Sequence, residues 1–158
     1  MDWTTLLFSF NGRINRGKYW LAVLIYLVVW IAFIAGCLIW LGEMNIDLLS
    51  FAGAALLIWL VGFILLVAGT WSGLAVGVKR LHDRDKSGWW ILLFWLGPSI
   101  LGGWQTVTPD LGGGFIFSLA AAAIAIWAFV ELGCLPGTPG PNRYGPDPLG
   151  NPALAPRT

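Results

Sequence analysis

Charge is what this sequence has least of. Its 158 residues include 9 Lys and Arg, 8 Asp and Glu and a single His, and charged residues make up 11% of the chain. An average soluble domain carries roughly 25%. Hydrophobic residues reach 58%, more than a soluble chain of this size can hide in one core. Cysteine is nearly absent, and Cys37 and Cys134 both fall inside apolar runs. That excludes a disulfide framework and leaves each as a buried small hydrophobe. His82 has no second histidine to complete a metal site, and adjacent Asp83 and Asp85 do not readily converge with it on one ion. No phosphate-binding glycine loop, metalloprotease helix or redox cysteine pair is present. No activated nucleophile is evident for His82 to serve as a general base. The expectation is therefore no catalytic residue, no metal, no cofactor and no nucleic-acid partner.

What is present is apolar sequence in long runs. Trp20 to Leu41 carries no charge and, at about 1.5 Å per residue, reaches about 33 Å, enough to cross a bilayer core. Leu48 to Val78 is also uncharged and longer than a span requires, with its membrane helix expected over about 50–78. Trp89 to Val107 is interrupted by Gly97-Pro98 and Gly102-Gly103, and Phe115 to Leu135 holds Glu131 as its only charge. Runs this continuous do not alternate with period two, so they are helices and not barrel strands. The fold class expected is an all-α membrane protein. It is a four-transmembrane-helix bundle forming one domain over residues 1–148, followed by a disordered tail over 149–158.

The few charges that exist are sorted by side. Arg13, Arg16 and Lys18 precede the first run; Lys79, Arg80, Arg84 and Lys86 lie between the second and third; Arg143 and Arg157 follow the fourth. The other two loops hold only Glu43, Asp47 and Asp110. The positive-inside rule then puts both termini and the central loop in the cytoplasm. Tyr19, Trp20, Trp89 and Trp90 mark the inner interface, and Trp40 and Trp104 the outer one. A lipoprotein signal is imitated by Ile34-Ala35-Gly36-Cys37, but Leu38 to Leu41 stays apolar where a mature lipoprotein turns polar.

Outside the spans, Trp3, Leu6, Leu7 and Phe10 share one helical face, as in a short N-terminal helix lying in the inner interface. Gly69, Gly73 and Gly77 recur every four residues, a face that lets another backbone approach closely. Ala121, Ala125 and Ala128 offer a matching face on the fourth run. Packing of the two within one molecule and homo-oligomer formation both remain open. Glu131 reads either as a snorkelling interfacial carboxylate or as a proton relay. The stretch Lys79 to Trp90 is more specific than topology demands, since positive-inside sorting has no use for His82, Asp83 or Ser87-Gly88. The tail from Pro136 is too rich in Pro and Gly to be helical, and within it Asn142-Arg143-Tyr144 is similarly specific.

Several of these segments together resemble a known family. They are Phe10-Asn11-Gly12-Arg13 with Arg16, Tyr19-Trp20, Arg80-Leu81-His82-Asp83, Ser87-Gly88-Trp89-Trp90 and Gly140 to Pro148. In this order they are similar to a bacterial inner-membrane family known as domain of unknown function 805, over residues 3–148. The resemblance implies several helices in the inner membrane and no particular activity. It does not extend to Leu111 to Gly114 or to Glu131. On the four-span topology all the motif segments emerge on the cytoplasmic side. A polar cap is therefore expected from Arg13, Arg16, Arg80, His82, Asp83, Asn142, Arg143 and Tyr144, ordered by pairing of arginine with Asp83. The leading functional reading is an interaction or assembly protein, with the lipid bilayer and a membrane-protein partner. The alternative is a binder or carrier of a small anionic ligand or lipid headgroup held by Arg80 and Arg143. A third reading is an enzyme using His82 and Asp83.

Overall fold

The structure, a computed structural model, describes residues 2–43, 48–107 and 114–150. Asp47, Asp110, Arg157, Leu111 to Gly113 and residues 151–158 of the expected tail lie outside them, as does the Trp104 side chain. The described chain is helical: α1 (Trp3–Phe8), α2 (Arg16–Glu43), α3 (Leu48–Asp83), α4 (Trp90–Val107) and α5 (Gly114–Phe129). A π-helical turn, Val130–Cys134, continues α5. Among the described residues there is no strand, only an isolated bridge between Asn142 and Gly145.

Three helices, Arg16–Glu43, Ser50–Asp83 and Gly114–Cys134, are long and apolar enough to cross a membrane. A shorter apolar stretch, Trp90–Gly103, belongs to α4. Their surfaces invert the soluble pattern: α2 buries only Ala22, and α5 buries nothing. Leu38, Leu56, Trp59 and Ile116 all stand exposed. Such surfaces need hydrocarbon around them. The chain is a helical membrane protein.

Local chemistry explains where the helices begin and end. Asn15 caps α2, its side-chain oxygen accepting from Lys18 N at 2.9 Å, so Arg16 and Lys18 lie inside the helix ahead of the apolar run. At the far end of α3, Lys86 N donates to Leu81 O at 2.9 Å and Asp85 N to His82 O at 3.0 Å. This is a Schellman closure, with Asp85 in the left-handed region at φ 56°. It makes Lys79 to Asp83 the last turn of α3, where a central loop was expected. Arg80 and His82 thereby gain the negative end of the helix dipole. Within α4 the helix runs through Gly97-Pro98 and Gly102-Gly103 without a break. In hydrocarbon a helix is the available way to satisfy the backbone, and one missing proline N–H costs less than a broken turn. Ser87 stands before α4, its hydroxyl accepting from Trp89 N at a long 3.4 Å.

The helix pairs meet in different ways. α4 and α5 form a hairpin in which Ile124 approaches Gly97, and Trp90 and Phe94 pack edge-on against Trp127. α2 runs beside α3 through Phe33 over Gly62 and Tyr26 to Ser72 at 2.7 Å. A small core of Leu6, Ile14, Ala22 and Val76 ties α1 and the α1–α2 linker to this pair. A second core, Leu81, Phe94 and Leu132, sits directly under the polar end of the bundle.

Candidate functional site

The densest set of side-chain interactions among the described residues lies where the α1–α2 linker, the end of α3 and the tail after α5 converge. Asp83 is its centre. One carboxylate oxygen faces Arg13 at 3.1 Å and the other faces Arg80 at 2.5 Å, and Asp83 and both guanidinium groups are nearly inaccessible. A charge taken out of water needs every polar atom satisfied, and here the rest of each guanidinium is taken up by backbone carbonyls. Arg13 donates to Thr138 O and Gly140 O, both at 2.7 Å. Arg80 donates to Leu132 O at 2.8 Å and to Leu135 O.

The carbonyls that Arg80 takes belong to the unwinding end of α5. A helix end leaves its last carbonyls without internal partners, and here side chains from other segments supply them. Arg80 takes Leu132 O, Trp20 Nε1 takes Gly133 O at 3.1 Å, and Arg16 takes Cys134 O at 2.9 Å. Arg84 takes Pro136 O at 2.8 Å. The π turn also buries Glu131, which pairs with Arg84 at 2.6 Å and Lys86 at 3.0 Å. Cationic donors at a helix C-terminus are favoured by its dipole.

The tail folds back on the same place. Thr138 N donates to Asp83 O at 2.8 Å, and Asn142 Nδ2 donates to His82 O at 2.9 Å. Tyr144 stacks on the His82 ring, centroids 3.8 Å apart and planes 5° from parallel. The other edge of that histidine holds the linker, with Nδ1 3.2 Å from Gly12 O. Arg143 lies outermost, paired with Asp85 at 3.0 Å while the two side chains stay 60% and 46% exposed. The eight cap residues read from the sequence therefore lie at one end of the bundle, in one connected network with Thr138 and Gly140.

The glycine row lies elsewhere. Gly69, Gly73 and Gly77 line a cavity of about 360 Å³ shared with Tyr26, Trp30 and Trp95. A Cβ at Gly69 or Gly73 would meet nothing within 4 Å, whereas at Gly77 it would run into Ile91 of α4. So the neighbour that comes closest to the row is α4, and not the alanine face of α5.

Lys79, which sequence reasoning treated as one topogenic cation among several, has a distinct task. It is 2% exposed, and its ammonium donates to Thr5 O at 2.6 Å and Leu6 O at 2.5 Å, while Ser72 Oγ donates to Leu7 O at 2.7 Å. Lys79 and Ser72 thus satisfy the last carbonyls of α1, which a membrane interface leaves short of water. Glu131 was also left outside the site. The available signal was that a lone acid in an apolar run needs a cation, and Arg84 and Lys86 are on the same side. Among the described residues no group of three or more His, Cys, Asp or Glu is gathered for a metal.

The family model described as "Protein of unknown function (DUF805)" matches residues 7–146. Among curated proteins, "Uncharacterized protein YiiR" of Escherichia coli strain K12 is 34% identical over 141 residues, covering 89% of this chain and 86% of its own. "Inner membrane protein YhaH" of the same strain is 31% identical over 152 residues, covering 94% and 97%. "Inner membrane protein YhaI" is 33% identical over 141 residues, covering 89% and 86%. No solved structure matches the chain.

Proposed function

The chain belongs to the DUF805 family, and from that premise we propose that it is an inner-membrane interaction or assembly protein, closed on its cytoplasmic side by the polar cap. The names of two relatives support the location. The orientation follows from the charge sorting, with four crossings, α1 lying in the inner interface and both termini cytoplasmic. α4 makes the third crossing, its shorter apolar stretch accommodated by local thinning of the bilayer.

One observation carries the functional reading: the ionised groups of the cap are spent on the chain itself. Arg80 is fully buried with its donors engaged by Asp83, Leu132 and Leu135. At 0% exposure its guanidinium cannot be reached by an anionic ligand, which weakens the anion-carrier alternative. Asp83 has both oxygens occupied by guanidinium groups, which speaks against its use as a catalytic base. What the cap offers outward is a surface edged by Arg143, Asp85 and Trp89, with its buried charges tied down internally, which suits docking of a membrane-protein partner.

The test is site-specific photocrosslinking in intact cells from position 143, beside the same probe in an Asp83→Asn background. One discrete protein adduct that disappears when the cap is loosened supports the reading. Absence of any protein adduct from 143, 85 and 89 alike sinks it.

A further inference from the structure

A second cavity, of about 430 Å³, opens beside the cap and takes walls from four motif segments: Phe10, then His82, then Ser87 to Trp89, then Tyr144. Its polarity is graded. Leu74, Val78 and His82 are spaced four residues apart on one face of α3, so the wall passes from aliphatic to polar over about 12 Å of helix. Leu92 and Ile91 of α4 complete the apolar end, and Ser87, His82 and Tyr144 form the polar rim. That profile is the profile of a phospholipid, chain below and headgroup above.

The rim chemistry narrows the headgroup. His82 Nδ1 lies 3.2 Å from the Gly12 carbonyl, which can only accept, so Nδ1 carries the proton and Nε2 of the neutral ring is an acceptor. Nε2 lies at the Gly88 wall, 3.4 Å from where a Cβ there would stand. It has no hydrogen-bond partner among the described residues, and no buried side-chain nitrogen or oxygen there lacks one, so Nε2 is reached from the cavity. The stack on Tyr144 fixes the ring. A fixed acceptor asks for a donor on the ligand. The cations next along the chain, Arg143 and Lys86, are already paired with Asp85 and Glu131, both at 3.0 Å. No lysine or arginine lines the cavity for a net anionic headgroup, while the rings of Phe10 and Trp89 favour a cation. The geometry points to a site for a lipid with a primary-ammonium headgroup, of the phosphatidylethanolamine class, whose ammonium donates to His82 Nε2 and whose chain runs along Val78, Leu74 and Leu92. This site adjoins the outward surface proposed for a protein partner and shares Trp89 with it.

The experiment is native mass spectrometry of the whole protein in mild detergent, titrated in parallel with phosphatidylethanolamine, phosphatidylglycerol and phosphatidylcholine of matched chains. Membrane sidedness plays no part in detergent, so a wrong topology would not disturb the result. Phosphatidylethanolamine is expected to be retained about tenfold over phosphatidylcholine, which lacks an N–H, the scale of one hydrogen bond to a charged group. His82→Asn, whose amide can still reach Gly12 but leaves no Nε2, is expected to abolish that preference. Leu92→Trp, away from the cap hydrogen bonds, fills the apolar end, is expected to cut retention of phosphatidylethanolamine itself, and decides the matter if the first variant is misfolded. Equal retention of phosphatidylethanolamine and phosphatidylcholine, a preference for phosphatidylglycerol, or indifference to Leu92→Trp overturns the assignment.

Discussion

At the scale of single residues, burial and not charge decides what a carboxylate is worth here. Asp83 and Asp85 are two positions apart and each pairs with arginine, yet one pair is enclosed and the other open to solvent. Asp83→Asn leaves two buried guanidinium groups without a counter-charge and is expected to lower stability by about 3–5 kcal/mol. Asp85→Asn keeps a residue that tolerates the left-handed backbone and loses a surface pair worth about 0–1 kcal/mol. Thermal melts of the two variants in one detergent check the contrast. Gly137 makes the same point sterically, because a Cβ there would enter the Asp83 carboxylate. Gly137→Ala is expected to cost about 1–3 kcal/mol, and a melting temperature equal to wild type would contradict the enclosed geometry. Asp147 is held by the amides of Leu149 and Gly140 at 2.9 and 3.0 Å, which lower its carboxyl from the usual 3.8. A depressed carboxyl contributes stability above its ordinary range and loses it as pH falls through the lowered value. Protection of the Gly140 amide, relative to its intrinsic exchange, should therefore be lost as pH falls through the lowered value, and Asp147→Asn should remove that dependence.

At the scale of elements, the apolar runs were legible because continuous hydrophobicity over a span's length has few other meanings. The ends of the helices were less so. The last turn of α3 reads as a charged loop, since what makes it helical is a Schellman closure with Asp85 at its left-handed position and burial against Leu132 and Phe94. The π turn at Val130–Cys134 has no one-dimensional signal. Its widened turn is held by side chains from α2 and α3, among them Trp20 and Arg80. The cap residues were legible as types the topology rule leaves unexplained, but their partners were not, because most of those partners are backbone carbonyls. Glu131 shows the consequence. Its cations are only partly shielded, at 21% and 33% side-chain exposure. Glu131→Gln is therefore expected to cost about 1–3 kcal/mol, less than Asp83→Asn, and a loss larger than that of Asp83→Asn would reverse this ranking of the two clusters.

At the scale of the whole molecule, the orientation proposed above is open to direct labelling. In a Cys37→Ser, Cys134→Ser background, a single cysteine at Ser9 or Leu149 should react with an impermeant maleimide only after the inner membrane is opened. One at Glu43 should react in spheroplasts without it. Labelling of Ser9 from the outside would overturn the arrangement. The cap, meanwhile, joins residues that are far apart in time as well as in sequence. Arg13 emerges early in translation, but Thr138 and Gly140, which receive its guanidinium, arrive 125 and 127 residues later. Until they do, Arg13 lacks the carbonyls that accept its outer N–H groups. Cap closure is thus a record that synthesis has run to its last helix. A chain stopped before residue 138 would lack both of these acceptors for Arg13.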